Sequence, residues 1–169
     1  MFTIYHFQPS HVLATAFNAD GSLFACSSVN GALHVFDPVR AELAHAISAH
    51  NLPARSVKFS PDGNLIYTAS DDQHVSIFDL RRGSMGTAAV KSYSMGSKAL
   101  CVDVSPDGRH FCVGTANGNV LLWDLGMQRR ECVYNGHSDQ VWAVAYDRTD
   151  RQGKRFASVG DDALLQLYA

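Results

Sequence analysis

Histidines, a few cysteines and two pairs of aspartates are the residues of this chain that could do chemistry. His137, Ser158 and Asp162 supply the three side chains of a nucleophilic relay, in which a carboxylate orients an imidazole that takes the proton of a hydroxyl. No G-x-S-x-G elbow accompanies them, and no G-x-x-x-x-G-K-[ST] loop offers a phosphate site. Asp71-Asp72 and Asp161-Asp162 suggest the paired carboxylates of glycoside cleavage. Adjacent residues of a strand point to opposite faces, however, so the two groups of each pair do not confront one bond. His6 and His11, like His45 and His50, stand five apart, a spacing that does not converge on one ion in strands and loops. Neither H-E-x-x-H nor C-x-x-C occurs. The expectation is a chain with no catalytic residue, no cofactor and no metal, in which Asp72 and Asp162 serve the structure.

Charge and composition point the same way. A formal net charge of -2 gives no electrostatic case for direct nucleic-acid contact or for an anionic membrane. The longest apolar runs fall far short of the roughly 20 residues of a membrane-spanning helix. The opening residues, MFTIYHFQP, show neither a basic region nor a signal-like apolar core. Cys26, Cys101, Cys112 and Cys132 form no C-x-x-C pair, and no Asn-x-Ser/Thr sequon is present. Reduced thiols in a cytoplasmic or nuclear setting are expected.

What must position these residues is a repeated unit. Gly136 to Ala169 repeats the order found from His50 to Phe78: a histidine, an alternating apolar run, a turn, a second run, paired aspartates and an aromatic. Phe36, Phe78, Trp123 and Tyr168 recur at intervals of 42, 45 and 45 residues. In the first unit Val12 to Phe17, Leu23 to Ser27, Leu33 to Phe36 and Glu42 to Ile47 read as strands. Between them stand Asn18-Ala19-Asp20-Gly21, then Asn30-Gly31, where a type I′ turn would put both residues at positive φ, and Asp37-Pro38. Ser60-Pro61-Asp62-Gly63 and Ser105-Pro106-Asp107-Gly108 repeat the first of these turns, and the fourth unit carries Asp150 and Gly153 in a lengthened version. Four short strands in about 40 to 45 residues is the spacing of a propeller blade. The fold class expected is all-β: a single domain over 1–169 with four antiparallel blades. Its repeats run approximately 8–47, 48–92, 93–134 and 135–169, and Phe2 to Phe7 is a strand belonging to no complete unit.

Phe36-Asp37, Phe78-Asp79 and Trp123-Asp124 at the ends of third strands, with Gly136-His137 opening the last unit, resemble the signature of the WD-repeat family. Four copies in phase carry that resemblance over the chain after about residue 8. Phe59-Ser60-Pro61-Asp62-Gly63, Thr68-Ala69-Ser70-Asp71-Asp72, Asp139-Gln140-Val141-Trp142 and Ser158-Val159-Gly160-Asp161-Asp162 are further similar to the C-terminal half of the WD-repeat subunits of superkiller complexes. The family's structural tetrad carries over onto His50, Thr68 and Asp72, with Phe78 in place of tryptophan. It carries over again onto His137, Ser158 and Asp162, with Tyr168 there as a residue that could keep the outer donor. The other two units depart from it, with Gln8, Cys26, Asn30 and Phe36 in the first and Met95, Val113, Asn117 and Trp123 in the third. Apolar packing and the Asn-Gly turns are expected to hold those two.

The resemblance implies a non-catalytic protein–protein interaction scaffold, a partial WD-repeat β-propeller. In this family the residue before the tetrad aspartate and those entering the first strand face partners. Here these are Pro53, Arg55, Asp71, Lys98, Leu100, Gln140, Trp142 and Asp161. Tryptophan and arginine are enriched at interface hot spots, and the competing reading of Trp142 is a core residue. A superkiller-like subunit would support exosome-mediated mRNA decay, meeting a helical-repeat scaffold within a helicase-containing complex. The alternative is an adaptor or substrate receptor of another assembly, a polymerase-associated transcription complex or a ubiquitin ligase. Closed rings of the family typically have seven blades. Four are therefore expected to be part of a longer propeller, to self-associate through open ends as an eight-bladed pair, or to close as a small ring. In the last case Phe2 to Phe7 would pair outside Lys154 to Ser158 or its neighbour.

Overall fold

The computed structural model describes residues 10–81 and 88–169; Gln8 and the expected strand from Phe2 to Phe7 lie outside them. The alternating runs form strands grouped into sheets in chain order. β1 (Val12–Phe17), β2 (Phe24–Ser28), β3 (Ala32–Asp37) and β4 (Glu42–Ser48) make the first sheet, each strand antiparallel to its neighbour. β5 (Ala54–Phe59), β6 (Leu65–Ser70), β7 (His74–Asp79) and β8 (Lys91–Ser94) make the second. The third is β9 (Ala99–Val104), β10 (His110–Thr115), β11 (Val120–Asp124) and β12 (Arg129–Tyr134). In the fourth, β13 (Val141–Tyr146), β14 (Phe156–Gly160) and β15 (Leu165–Tyr168) stand without an outer strand among the described residues. The expected all-β fold of four antiparallel blades is what is seen, and the first unit's strands begin and end within one residue of their expected limits.

The innermost strands β1, β5, β9 and β13 lie side by side in that order. Between successive blades run three apolar seams. Leu33, Val35, Val57, Ile66 and Phe78 fill the first; Tyr67, Val75, Val102, Phe111 and Val113 the second; Cys112, Val120, Val141, Tyr146 and Phe156 the third. Burying one large apolar side chain contributes about 1.5–3 kcal/mol. Blade-to-blade packing therefore carries most of the stabilisation. An ion pair also ties the last two blades: the buried carboxylate of Asp103 on β9 accepts from the Arg148 guanidinium (2.6 Å) and from Tyr146 N (2.8 Å).

The far faces of the arc are uncovered. Cross-strand rows Ala145, Ala157, Leu167 and Ala143, Val159, Leu165 line the outer face of the fourth sheet, where Leu167 is 79% exposed, and Phe17 on the first sheet is 61% exposed. A closed four-bladed ring would bury these side chains, so that alternative is corrected to an open arc. In the fourth sheet β14 has β13 on one side and β15 on the other, and the strand expected to pair there or on its neighbour, Phe2 to Phe7, lies outside the described residues.

The turns also differ from expectation. Gly31 (φ 79°) and Gly118 (φ 82°) are left-handed, but neither Asn30 nor Asn117 has positive φ, so these are not type I′ turns. Gly31 N donates to Ser28 O (3.0 Å), which places glycine at the fourth position of the turn. Gln73 (φ 70°) and Ala163 (φ 60°) hold the same place in blades two and four. What separates the glycines is the next blade. A Cβ on Gly31 would lie 2.1 Å from His50 O, and one on Gly118 would lie 2.5 Å from His137 O. Each Asn-Gly turn thus precedes a histidine-bearing blade and lets its backbone come close.

Candidate partner-binding face

The polar residues singled out by type gather in two buried networks. In blade two, His50 Nδ1 is 2.8 Å from Asp72 Oδ2 and Nε2 is 2.8 Å from Thr68 Oγ1, while Phe78 is buried without a polar atom to add. In blade four, His137 Nδ1 is 2.9 Å from both Asp162 oxygens, Nε2 is 2.7 Å from Ser158 Oγ, and Ser158 Oγ is 3.0 Å from the Tyr168 hydroxyl. The order Asp, His, Ser is that of a hydrolytic relay. Ser158, however, is 1% exposed, so a substrate carbonyl cannot reach it without opening the blade. Backbone N–H groups complete each carboxylate: Asn51 and His74 donate to Asp72, Ser138 and Leu164 to Asp162. The paired aspartates lie in the turns after β6 and β14 rather than on strands as expected. In blade two their carboxylates still diverge, Asp72 toward His50 and Asp71 toward Arg55.

The two remaining blades use smaller devices. Asn30 Oδ1 accepts from Ser28 Oγ (2.5 Å) and Ala32 N (3.1 Å), and Asn117 Oδ1 accepts from Thr115 Oγ1 (2.7 Å). Cys26, Phe36, Met95 and Val113 are buried. With valine at the hydroxyl position, Trp123 Nε1 is buried with no hydrogen-bond partner among the described residues. No group of three His, Cys, Asp or Glu among the described residues could hold a metal ion.

A second pattern joins the blades at one end. Each innermost strand carries a bulge at the same place, at Leu13, Arg55, Leu100 and Trp142. A bulge re-aims the side chain it carries. Beside each bulge a backbone bond closes the strand end: Val29 N to His11 O, Asp71 N to Pro53 O, Ala116 N to Lys98 O and Asp161 N to Gln140 O. The structure therefore gathers all eight expected partner-facing residues at one rim and adds His11, Leu13, Val29 and Ala116, which lie in blades without a recognisable tetrad. Aligning the four first strands by their turns would have found them. Arg55 and Asp71 are bound to each other, Nε to Oδ1 at 3.0 Å and Nη2 to Oδ2 at 2.7 Å, and Asp71 is buried. Lys98 and Asp161 are exposed, Pro53 and Gln140 half-buried, and Trp142 is 47% exposed. Leu100 is 6% exposed and offers no surface: β9 has an inner strand on either side, and an apolar side chain there folds in.

Comparison with known sequences decides what this architecture is. The profile of the WD domain, G-beta repeat family matches residues 2–37, 41–79, 90–124 and 129–168. The chain belongs to the WD-repeat family. It is 33% identical to WD repeat-containing protein SL1-17 of Schistosoma mansoni over 157 residues, 93% of this chain and 50% of that protein. It is 30% identical to a DDB1- and CUL4-associated factor 11 homolog of Caenorhabditis briggsae, over 79% of this chain and 26% of that protein. It is 23% identical to pre-mRNA-processing factor 19 of Bos taurus, over 80% of this chain and 27% of that protein. The chain spans half or less of the length of these relatives.

The tetrads of this WD-repeat chain make its stability depend on pH. Burial lowers the pKa of His50 below its ordinary 6.5, although the Asp72 carboxylate pulls it upward. The imidazole is then neutral, its Nδ1–H donating to Asp72 and its Nε2 accepting from the Thr68 hydroxyl. Burial opposes ionisation of Asp72, yet His50 and the backbone donors hold its carboxyl below the ordinary 3.8. The same balance, with His137 as partner, lowers Asp162. A group whose folded pKa is depressed contributes stability above its unfolded pKa and loses it as pH falls through the folded value. The urea midpoint is expected to fall in two stages, the first beginning below pH 6.5 and the second below pH 3.8. His50→Gln should flatten the first stage and keep the second. A wild-type midpoint unchanged between pH 7 and pH 4 would contradict this.

Proposed function

We propose that the chain is a non-catalytic scaffold whose bulge-bearing rim takes segments of partner proteins. The observation that supports this reading is the placement of the bulge residues. Four strands far apart in sequence place their bulge residues at one end, and among these an arginine held rigid by Asp71 and a half-exposed tryptophan are the types that anchor interfaces. The Ser-His-Asp arrangement belongs to the buried frame.

The residue-by-residue resemblance favours a superkiller-like subunit, with a helical-repeat scaffold and a helicase-containing complex as partners in exosome-mediated mRNA decay, in the cytoplasm and also the nucleus. Similarity to a DDB1- and CUL4-associated factor supports the second reading, an adaptor in a ubiquitin ligase. Co-purification separates them: a helicase together with a helical-repeat protein supports the first, a ligase core the second. In either assembly, Arg55→Glu combined with Trp142→Ala is expected to abolish partner capture while leaving the circular dichroism spectrum unchanged. Capture at wild-type level by this folded variant would sink the rim as the binding face.

A further inference from the structure

We propose that the fourth blade holds a receptor for an arginine side chain of a partner protein, formed by the Trp142 indole and the Asp161 carboxylate. This deepens the reading of the rim as a partner-binding face and rests on it.

The second blade supplies the template. Its bulge residue, Arg55, grips Asp71 through two parallel hydrogen bonds of 3.0 and 2.7 Å. The fourth blade repeats the backbone of that pair: Trp142 is the bulge residue of β13, and Asp161 N donates to Gln140 O as Asp71 N donates to Pro53 O. Only the bulge side chain has changed. With tryptophan where the template has arginine, Asp161 is left exposed and without an ion pair among the described residues. Lys98, the exposed cation of the third blade's rim, forms no ion pair with it. Both halves of the site come from one blade, so no neighbouring blade has to supply either.

The reading of Trp142 as a core residue does not fit its 47% exposure, and it stacks on no other ring among the described residues. An aromatic face beside a carboxylate favours a guanidinium over an ammonium. The planar fork can bond both carboxylate oxygens, as Arg55 does, while its flat face stacks on the indole. The carboxylate repels phosphate, which directs the site to a cationic protein segment rather than to nucleic acid.

The test titrates an acetylated, amidated Gly-Arg-Gly peptide into the intact chain, following the Trp142 indole N–H resonance, assigned by comparison with Trp142→Phe. The arginine peptide is expected to shift that signal saturably. A peptide with citrulline in place of arginine, isosteric but neutral, should bind about tenfold or more weakly, as should arginine binding to Asp161→Asn. Trp142→Arg rebuilds the template pair inside the chain. It should stop the arginine peptide from binding while the protein stays folded by circular dichroism. Equal binding of arginine and citrulline peptides, undiminished binding by Asp161→Asn, or no saturable shift with any peptide would each overturn the proposal. Because the probe is a free tripeptide, such a failure is separate from failure of the whole rim, which partner capture by the Arg55→Glu, Trp142→Ala variant reads.

Discussion

Asp72→Ala is expected to lower the urea midpoint of unfolding at neutral pH by about 1–2 M, whereas Asn30→Ala lowers it by a few tenths of that. The two residues occupy equivalent turns, so the contrast isolates what the carboxylate does. Asp72 accepts from His50 Nδ1 (2.8 Å), His74 N (3.0 Å) and Asn51 N (3.4 Å), and the His50 side chain is almost wholly buried. Removing the acceptor strands a buried imidazole N–H and two backbone donors, and breaking such a partly buried network costs about 2–4 kcal/mol. Asn30 closes only its own turn through Ser28 and Ala32 N, which contributes about 1 kcal/mol. Asp162→Ala is expected to follow Asp72→Ala in direction, since His137 is as deeply placed. Equal midpoints for the Asp72 and Asn30 variants would show that apolar seams alone hold the blades.

Gly31→Ala should be as damaging as loss of the carboxylate, for a different reason. A left-handed alanine costs about 1–2 kcal/mol, and forcing an atom into a packed contact costs about 1–3 kcal/mol more. The first part alone is evidently tolerated, because Gln73 and Ala163 are left-handed at equivalent turns. The second is particular to Gly31. Its Cβ would meet His50 O at 2.1 Å, and that carbonyl cannot swing aside, since Ala49 N and His50 N both donate to Gly31 O (3.1 and 3.0 Å). A midpoint loss of about 1–2 M is expected, accompanied by faster hydrogen exchange at Ala49 and His50 as blade one lifts from blade two. A loss no larger than about 2 kcal/mol would mean that φ strain is the whole effect.

These two positions also show how the sequence carries the structure. The period of 42 to 45 residues and the alternation of apolar residues set the blades and their strands, because each blade packs against a like neighbour and repeats the same solution. The tetrads were legible through the family resemblance, which carries over onto His50, Thr68 and Asp72 and onto His137, Ser158 and Asp162, and the hydrogen bonds of both blades join those side chains. Asn30-Gly31 was legible as a turn but not as to type, because the demand on glycine comes from His50 in the next blade rather than from its own hairpin. The rim was half legible. Arg55, Asp71, Trp142 and Asp161 stand beside recognisable tetrad residues, whereas Leu13 and Val29 belong to a blade whose tetrad is gone. That Arg55 consumes Asp71, and that Leu100 folds inward, depends on side-chain direction at a bulge, which spacing does not encode. The Asp103 to Arg148 pair joins residues on different blades and has no local signal at all.

Hydrogen-exchange footprinting of the chain bound to its co-purified partner tests the central claim most directly. The account predicts slowed exchange at 11–14, 28–31, 52–56, 70–72, 98–100, 115–117, 139–143 and 160–162, the segments that form the rim, with no change at the turns 18–22, 61–64, 106–109 and 150–153 at the opposite end of the inner strands. Protection confined to those opposite turns, with the rim exchanging as in the free chain, would contradict it.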